Sequence, residues 1–161
     1  MAGLNPAMTP GGVMTDVLFY HLQGQRMEAA LPLLVEKAVE KGWNAVIRSG
    51  SEERLAVLDE ALWSYKEDSF LPHGREEEGE AEHQPILLTL NDIRPNDAEV
   101  LFLVDRAALP AEYPYERVVL MFDGDDTEAL DDARAAWKVV KGLGHPATYW
   151  QQDGGRWVKK A

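Results

Sequence analysis

The sequence predicts an α/β fold of three layers, a mostly parallel sheet flanked by helices in a single domain. Three observations predict it. Short apolar runs of strand type recur along the chain, three of the intervals between them carry helical apolar spacing, and the chain opens in the order strand, helix, strand, helix. A length of 161 residues suits one domain with a core that needs no covalent staples.

The elements follow in order. Val17 to Leu22 is a short run of β-branched, aromatic and aliphatic residues and reads as a buried strand. From Arg26 to Lys41, residues Met27, Ala30, Leu31, Leu34, Val35, Ala38 and Val39 share one helical face. Pro32 predicts that regular helix starts near it, and Gly42 is a natural stop. Trp43 to Arg48 reads as a second strand. Ser51 caps a helix whose first turn carries Glu52 and Glu53, and Leu55, Leu58, Ala61 and Leu62 form its inner face.

Ser69 to Gln84 breaks the pattern. Pro72, His73, Gly74 and the acids Glu76, Glu77, Glu78, Glu80 and Glu82 predict a solvated, mobile loop that is strongly acidic over 74–84. Strands follow at Pro85 to Leu90, Val100 to Val104 and Val118 to Phe122. Asp123 to Asp126 turns into a helix from Thr127 to about Lys141, which ends near Gly142 and Gly144. Ala147 to Trp150 is a last core strand, and Arg156 to Val158 pairs back as an edge strand after a turn. Met1 to Val13, rich in Gly, Pro and Met, reads as a flexible N-terminal extension, which leaves 14–161 as the folded domain.

Composition narrows the function. The absence of cysteine excludes disulfides, thiolate metal sites and thiol nucleophiles, and fits a reducing, cytoplasmic setting. A net charge of −12 opposes sequence-independent DNA binding by the bulk surface. No apolar run is long enough to span a membrane. No glycine-rich phosphate loop follows a strand, the four histidines form no metal-binding pair, and no serine sits in a nucleophile elbow. The chain therefore reads as non-catalytic, with no cofactor and no metal site. The alternative is a nucleotide- and Mg²⁺-dependent enzyme using Asp123, Asp125 and Asp126 at a strand end; the reading favoured over it makes these residues a cap and first-turn acids.

Charge is segregated. From Ala133 to Ala161 the basic residues are Arg134, Lys138, Lys141, Arg156, Lys159 and Lys160, against the single acid Asp153. Arg134, Lys138 and Lys141 are spaced four and three apart and share a helix face bordered by Trp137. Cations beside an aromatic ring suit an acidic peptide with an apolar end group, or single-stranded nucleic acid. Trp63 and Phe70 flank the segment 64–69, where either can plug the core at a helix end.

Two paired segments carry a resemblance. Asp59-Glu60-Ala61-Leu62-Trp63 followed by Ser69-Phe70-Leu71-Pro72-His73-Gly74, and Trp137-Lys138-x-x-Lys141 followed by Gly144-His145-x-x-Thr148-Tyr149-Trp150-Gln151-Gln152, resemble the chi subunit family of bacterial DNA polymerase III. Phe19-Tyr20 in the first strand is similar too, and the likeness runs in order over 14–161. The resemblance implies a Rossmann-like fold and an accessory subunit of the clamp-loader complex without polymerase chemistry. It implies two partners, the psi subunit and the acidic, Phe-terminated C-terminal tail of single-stranded DNA-binding protein, with DNA contacted only indirectly. Carried over by position, the tail-binding residues fall on Trp63, Phe70, Arg134, Trp137 and Lys138, and Lys141 extends the same helix face. A further apolar family contact falls near Asp123, a departure from the family pattern.

Overall fold

The computed structural model describes residues 14–65 and 71–161; the N-terminal extension and Phe70 lie outside the described residues. The strands are β1 (Asp16–Leu22), β2 (Ala45–Ser49), β3 (Gly74–Arg75), β4 (Ile86–Thr89), β5 (Val100–Val104), β6 (Arg117–Asp123), β7 (Ala147–Asp153) and β8 (Arg156–Lys159). The helices are α1 (Met27–Glu40), α2 (Glu52–Trp63) and α3 (Thr127–Gly142). One sheet has the order β3-β4-β2-β5-β6-β1-β7-β8. Every pairing is parallel except β7 with β8, which closes one edge as an antiparallel hairpin.

Strand alternation divides the core in two. Ile47, Leu88, Phe102 and Met121 pack with Leu31 and Val35 of α1 and Leu55, Leu58 and Leu62 of α2. Val46, Leu87, Leu101 and Val118 pack on the other side with Ala129, Ala133, Ala136 and Val140 of α3. Thus α1 and α2 form one outer layer and α3 the other, which is the three-layer arrangement predicted. Strands β2, β4 and β5 are buried at every position, as parallel strands covered on both faces must be. The helix-free connections around β5 are stitched by the buried Asn96, whose amide donates to the carbonyls of Ala45 (3.1 Å) and Gln84 (2.8 Å).

Two expectations need correcting. Helix α1 begins at Met27 and carries Pro32 inside it rather than at its start. Burial of Met27, Ala30 and Leu31 against the sheet anchors the first turns, and that packing outweighs the missing proline N–H. The acidic segment is not an unstructured loop throughout: residues 71–84 hold the short strand β3 and two 3₁₀ turns, Glu76–Glu78 and Ala81–His83. Several of its charges have partners. Arg75 pairs with Glu52 and Glu77, and the Glu76 carboxylate accepts from Thr89 (2.6 Å) and Asn91 (2.8 Å), which holds its pKa below the usual carboxylate value.

Candidate functional site

Helix α3 starts where the sequence places its cap. The Asp126 carboxylate accepts from the backbone N–H groups of Glu128 (3.0 Å) and Ala129 (3.2 Å), and Asp123 accepts from the N–H of Asp125 (2.9 Å). Small residues on its inner face let the helix lie close to the sheet. The flank toward β1 and β7 then carries Arg134, Trp137 and Lys141, and Lys138 projects beside them into solvent. Arg134 keeps 69% of its side chain exposed and, among the described residues, meets only Asp131 as an ion-pair partner, at 3.7 Å. Lys141 stands 5.7 Å from the centre of the Trp137 ring.

Trp137 is half-buried. Its ring meets Phe19 edge-on at 5.3 Å and Tyr149 at 6.2 Å. It serves the core with one edge and borders the cationic flank with the other. Beneath it, the Tyr149 hydroxyl is hydrogen-bonded to Nδ1 of His21 at 2.7 Å, and His21 packs on Phe122. Burial pulls the His21 pKa down, opposed by Asp125 and Asp123, and burial pushes the Tyr149 pKa up, opposed by Arg134. Gly124 closes this corner: a Cβ there would stand 1.9 Å from the His21 Nε2, so only glycine fits.

Sequence reasoning missed how β8 joins this surface. The pairing of Trp150 with Lys159 continues one residue further, where the N–H of Lys160 donates to the Tyr149 carbonyl at 2.7 Å. Lys160 thereby projects on the same side as Tyr149 and α3, as does Arg156 further along the hairpin. Lys159, opposite Trp150, faces the other way. The period-two alternation of the hairpin was the available signal, but it could be used only once register was known.

Trp63 is not brought to this site. It ends α2 on the opposite outer layer, 55% exposed, with its ring 4.3 Å from that of His73. His73 is buried, against the expectation that it lies in a solvated, mobile loop. Its Nε2 meets the Asp59 carboxylate at 2.9 Å and its Nδ1 the Leu71 carbonyl at 2.6 Å, so it ties the chain after α2 back onto that helix. Helices α2 and α3 pack on opposite faces of the sheet, so the sheet lies between Trp63 and the group Arg134, Trp137, Lys138 and Lys141.

The crevice where this fold class commonly takes nucleotides lies at the C-terminal ends of β1 and β6, whose connections leave to opposite faces. Its volume is about 500 Å³, and it is lined by Glu28, Asp105, Asp123, Asp125 and Asp126 with Arg26, Arg54 and Arg106. Arg54 is committed to Glu28 (2.7 Å) and Asp105 (3.2 Å), and Arg106 to Asp132 (2.6 Å). Phosphates would meet mostly carboxylates there. Asp123 and Asp126 are engaged in the turn and the cap, and no group of three His, Cys, Asp or Glu among the described residues is arranged to hold a metal ion.

Comparison with known proteins places the chain. The family model described as DNA polymerase III chi subunit, HolC, matches residues 14–148. The chain is 33% identical over 137 residues to a DNA polymerase III subunit chi of Pseudomonas aeruginosa, covering 83% of this chain and 94% of that protein. It is 29% identical over 91 residues to a probable DNA polymerase III subunit chi of Rickettsia prowazekii, a match to 56% of this chain and 55% of that protein.

Proposed function

Since the chain belongs to the DNA polymerase III chi subunit family, we propose that it is the link between that polymerase's clamp loader and single-stranded DNA-binding protein. It acts in DNA replication as an accessory subunit rather than as a catalyst, within the bacterial replisome. The flank of α3 formed by Arg134, Trp137, Lys138 and Lys141 receives the acidic, Phe-terminated tail of the single-stranded DNA-binding protein. The observation that carries this reading is one exposed cationic row beside a half-buried indole in a chain of net charge −12. Cations meet the acids of the tail, and the indole gives its aromatic end group an apolar wall. Asp123 stands where the family pattern has an apolar contact, so Trp137 supplies most of that wall.

A link must hold two partners at once, on surfaces that do not overlap. Trp63, exposed on the opposite layer and seated on His73, is the residue we assign to the second partner, the psi subunit. Calorimetry with a synthetic acidic peptide ending in Phe tests the first contact. Binding that weakens as salt rises is expected, and no heat at low ionic strength would sink the reading.

A further inference from the structure

The layer opposite α3 holds a cavity that tail docking leaves unused. It opens beside the C-terminal end of α1 and measures about 170 Å³. Tyr20, Trp43, Trp150 and Trp157 line it, so three of the chain's five tryptophans converge on one space. Its charged lining is Lys37, Lys41 and Arg117, with no carboxylate among the lining residues, although the chain carries net charge −12. Lys159, opposite Trp150 in the hairpin, projects on the same side.

Packing explains part of this. Tyr20, Trp43 and Trp157 extend the core where α1 ends, with Trp157 edge-on to Tyr20 at 4.7 Å. Lysines near a helix C-terminus complement its dipole. Packing does not explain Arg117. Its guanidinium stands 5.1 Å from the Trp43 ring, and its Nε is buried with no hydrogen-bond partner. Folded proteins seldom strand such a donor, so the position calls for an acceptor that the described residues do not supply. Lys41, 4.3 Å from the same ring, sets a second cation beside the same indole.

We propose that this cavity binds a nucleobase together with its phosphate. The base lies against the indoles, and the phosphate meets Arg117, Lys37 and Lys41. The volume suits a single ring system rather than an extended ligand. Lys37 and Lys41 are one helical turn apart, roughly 6 Å, which suits a charge repeated along a strand better than the single carboxylate of a peptide end. The site is independent of α3. Two sources share this chemistry, a single strand of nucleic acid and a free nucleotide.

The test titrates the full chain with an oligothymidylate and, separately, with thymidine monophosphate at low salt, reading tryptophan fluorescence. Stacking on the indoles is expected to quench it. For three phosphate contacts by a single strand, the slope of log K against log salt is about −2. The double substitution Lys37→Glu and Lys41→Glu lies on exposed positions in the last turn of α1 and at its C-cap, and is expected to weaken binding about tenfold or more. Arg134→Ala should leave this binding unchanged, so the fate of the cavity is separable from that of the docking site. Tighter binding of the oligomer supports the cavity and assigns it to a single strand; equal affinities support it and assign it to a free nucleotide. Absence of quenching by both probes overturns the proposal. So does full quenching in the double variant, or quenching by the acidic Phe-terminated peptide alone.

Discussion

Replacing Arg134 by alanine separates docking from folding. The side chain is 69% exposed and its partner Asp131 is 76% exposed, so their 3.7 Å contact contributes about 0–1 kcal/mol to stability. The variant should therefore unfold within a few degrees of the parent. The tail peptide would lose more. A hydrogen bond to a charged group contributes about 1.5–3 kcal/mol. Discounting for solvent exposure leaves about 1–2 kcal/mol, which is a factor of roughly 5–30 in Kd. Asp131 competes for the same guanidinium, so Asp131→Ala should tighten the peptide modestly, and Arg134→Lys should recover part of the loss. Calorimetry on the four proteins at one low ionic strength measures the series. A Kd for Arg134→Ala within twofold of the parent would refute the reasoning, most plainly if Trp63→Ala abolished binding, because the site would then lie across the sheet.

Other perturbations probe the scaffold. Gly124→Ala should destabilise the protein by about 1–3 kcal/mol, since the added methyl meets a His21 ring pinned by Tyr149 and Phe122; denaturant titration with an unchanged midpoint would contradict this. His73→Ala should cost about 1–3 kcal/mol by removing the buried ring that contacts both the Leu71 carbonyl and the Asp59 carboxylate, measured the same way, while peptide binding at α3 stays intact. The pH dependence has a defined sign. His21 and His145 have folded pKa values below 6.5, so the stability they contribute is complete above 6.5 and is lost as pH falls through the folded values. Glu28 and Glu76, whose pKa values are held below 4.5 by Arg54 and by Thr89 with Asn91, extend that loss into more acidic solution. A thermal midpoint that rises on acidification from pH 7 to 4 would contradict this.

Much of the scaffold was legible before folding. The apolar runs marked β2 and β4 to β6, because parallel strands covered on both faces must be apolar on both, while β1 and β7, only partly buried, were marked by their aromatic and β-branched residues. The Asp126 cap and the spacing of Arg134, Lys138 and Lys141 were legible because both are properties of consecutive residues. The first turns of α1 were hidden because Pro32 is a local signal, whereas the anchoring of Met27, Ala30 and Leu31 is tertiary. The order around β3 was hidden because its supports, Glu52, Thr89 and Asn91, are distant in sequence from Arg75 and Glu76.

Candidate function divides along the same line. The sequence by itself determined the fold class, the family and the cationic row of α3, since each is written in composition, motif or helical period. Only the tertiary structure decided which residues share a face. Chain direction sends α2 and α3 to opposite layers, which parts Trp63 from Arg134. Hairpin register sends Lys160 toward Tyr149 and Lys159 away. Strand order gathers Tyr20, Trp43, Trp150 and Trp157 around one cavity. Those outcomes depend on pairing between residues far apart in the chain, and no local pattern encodes them.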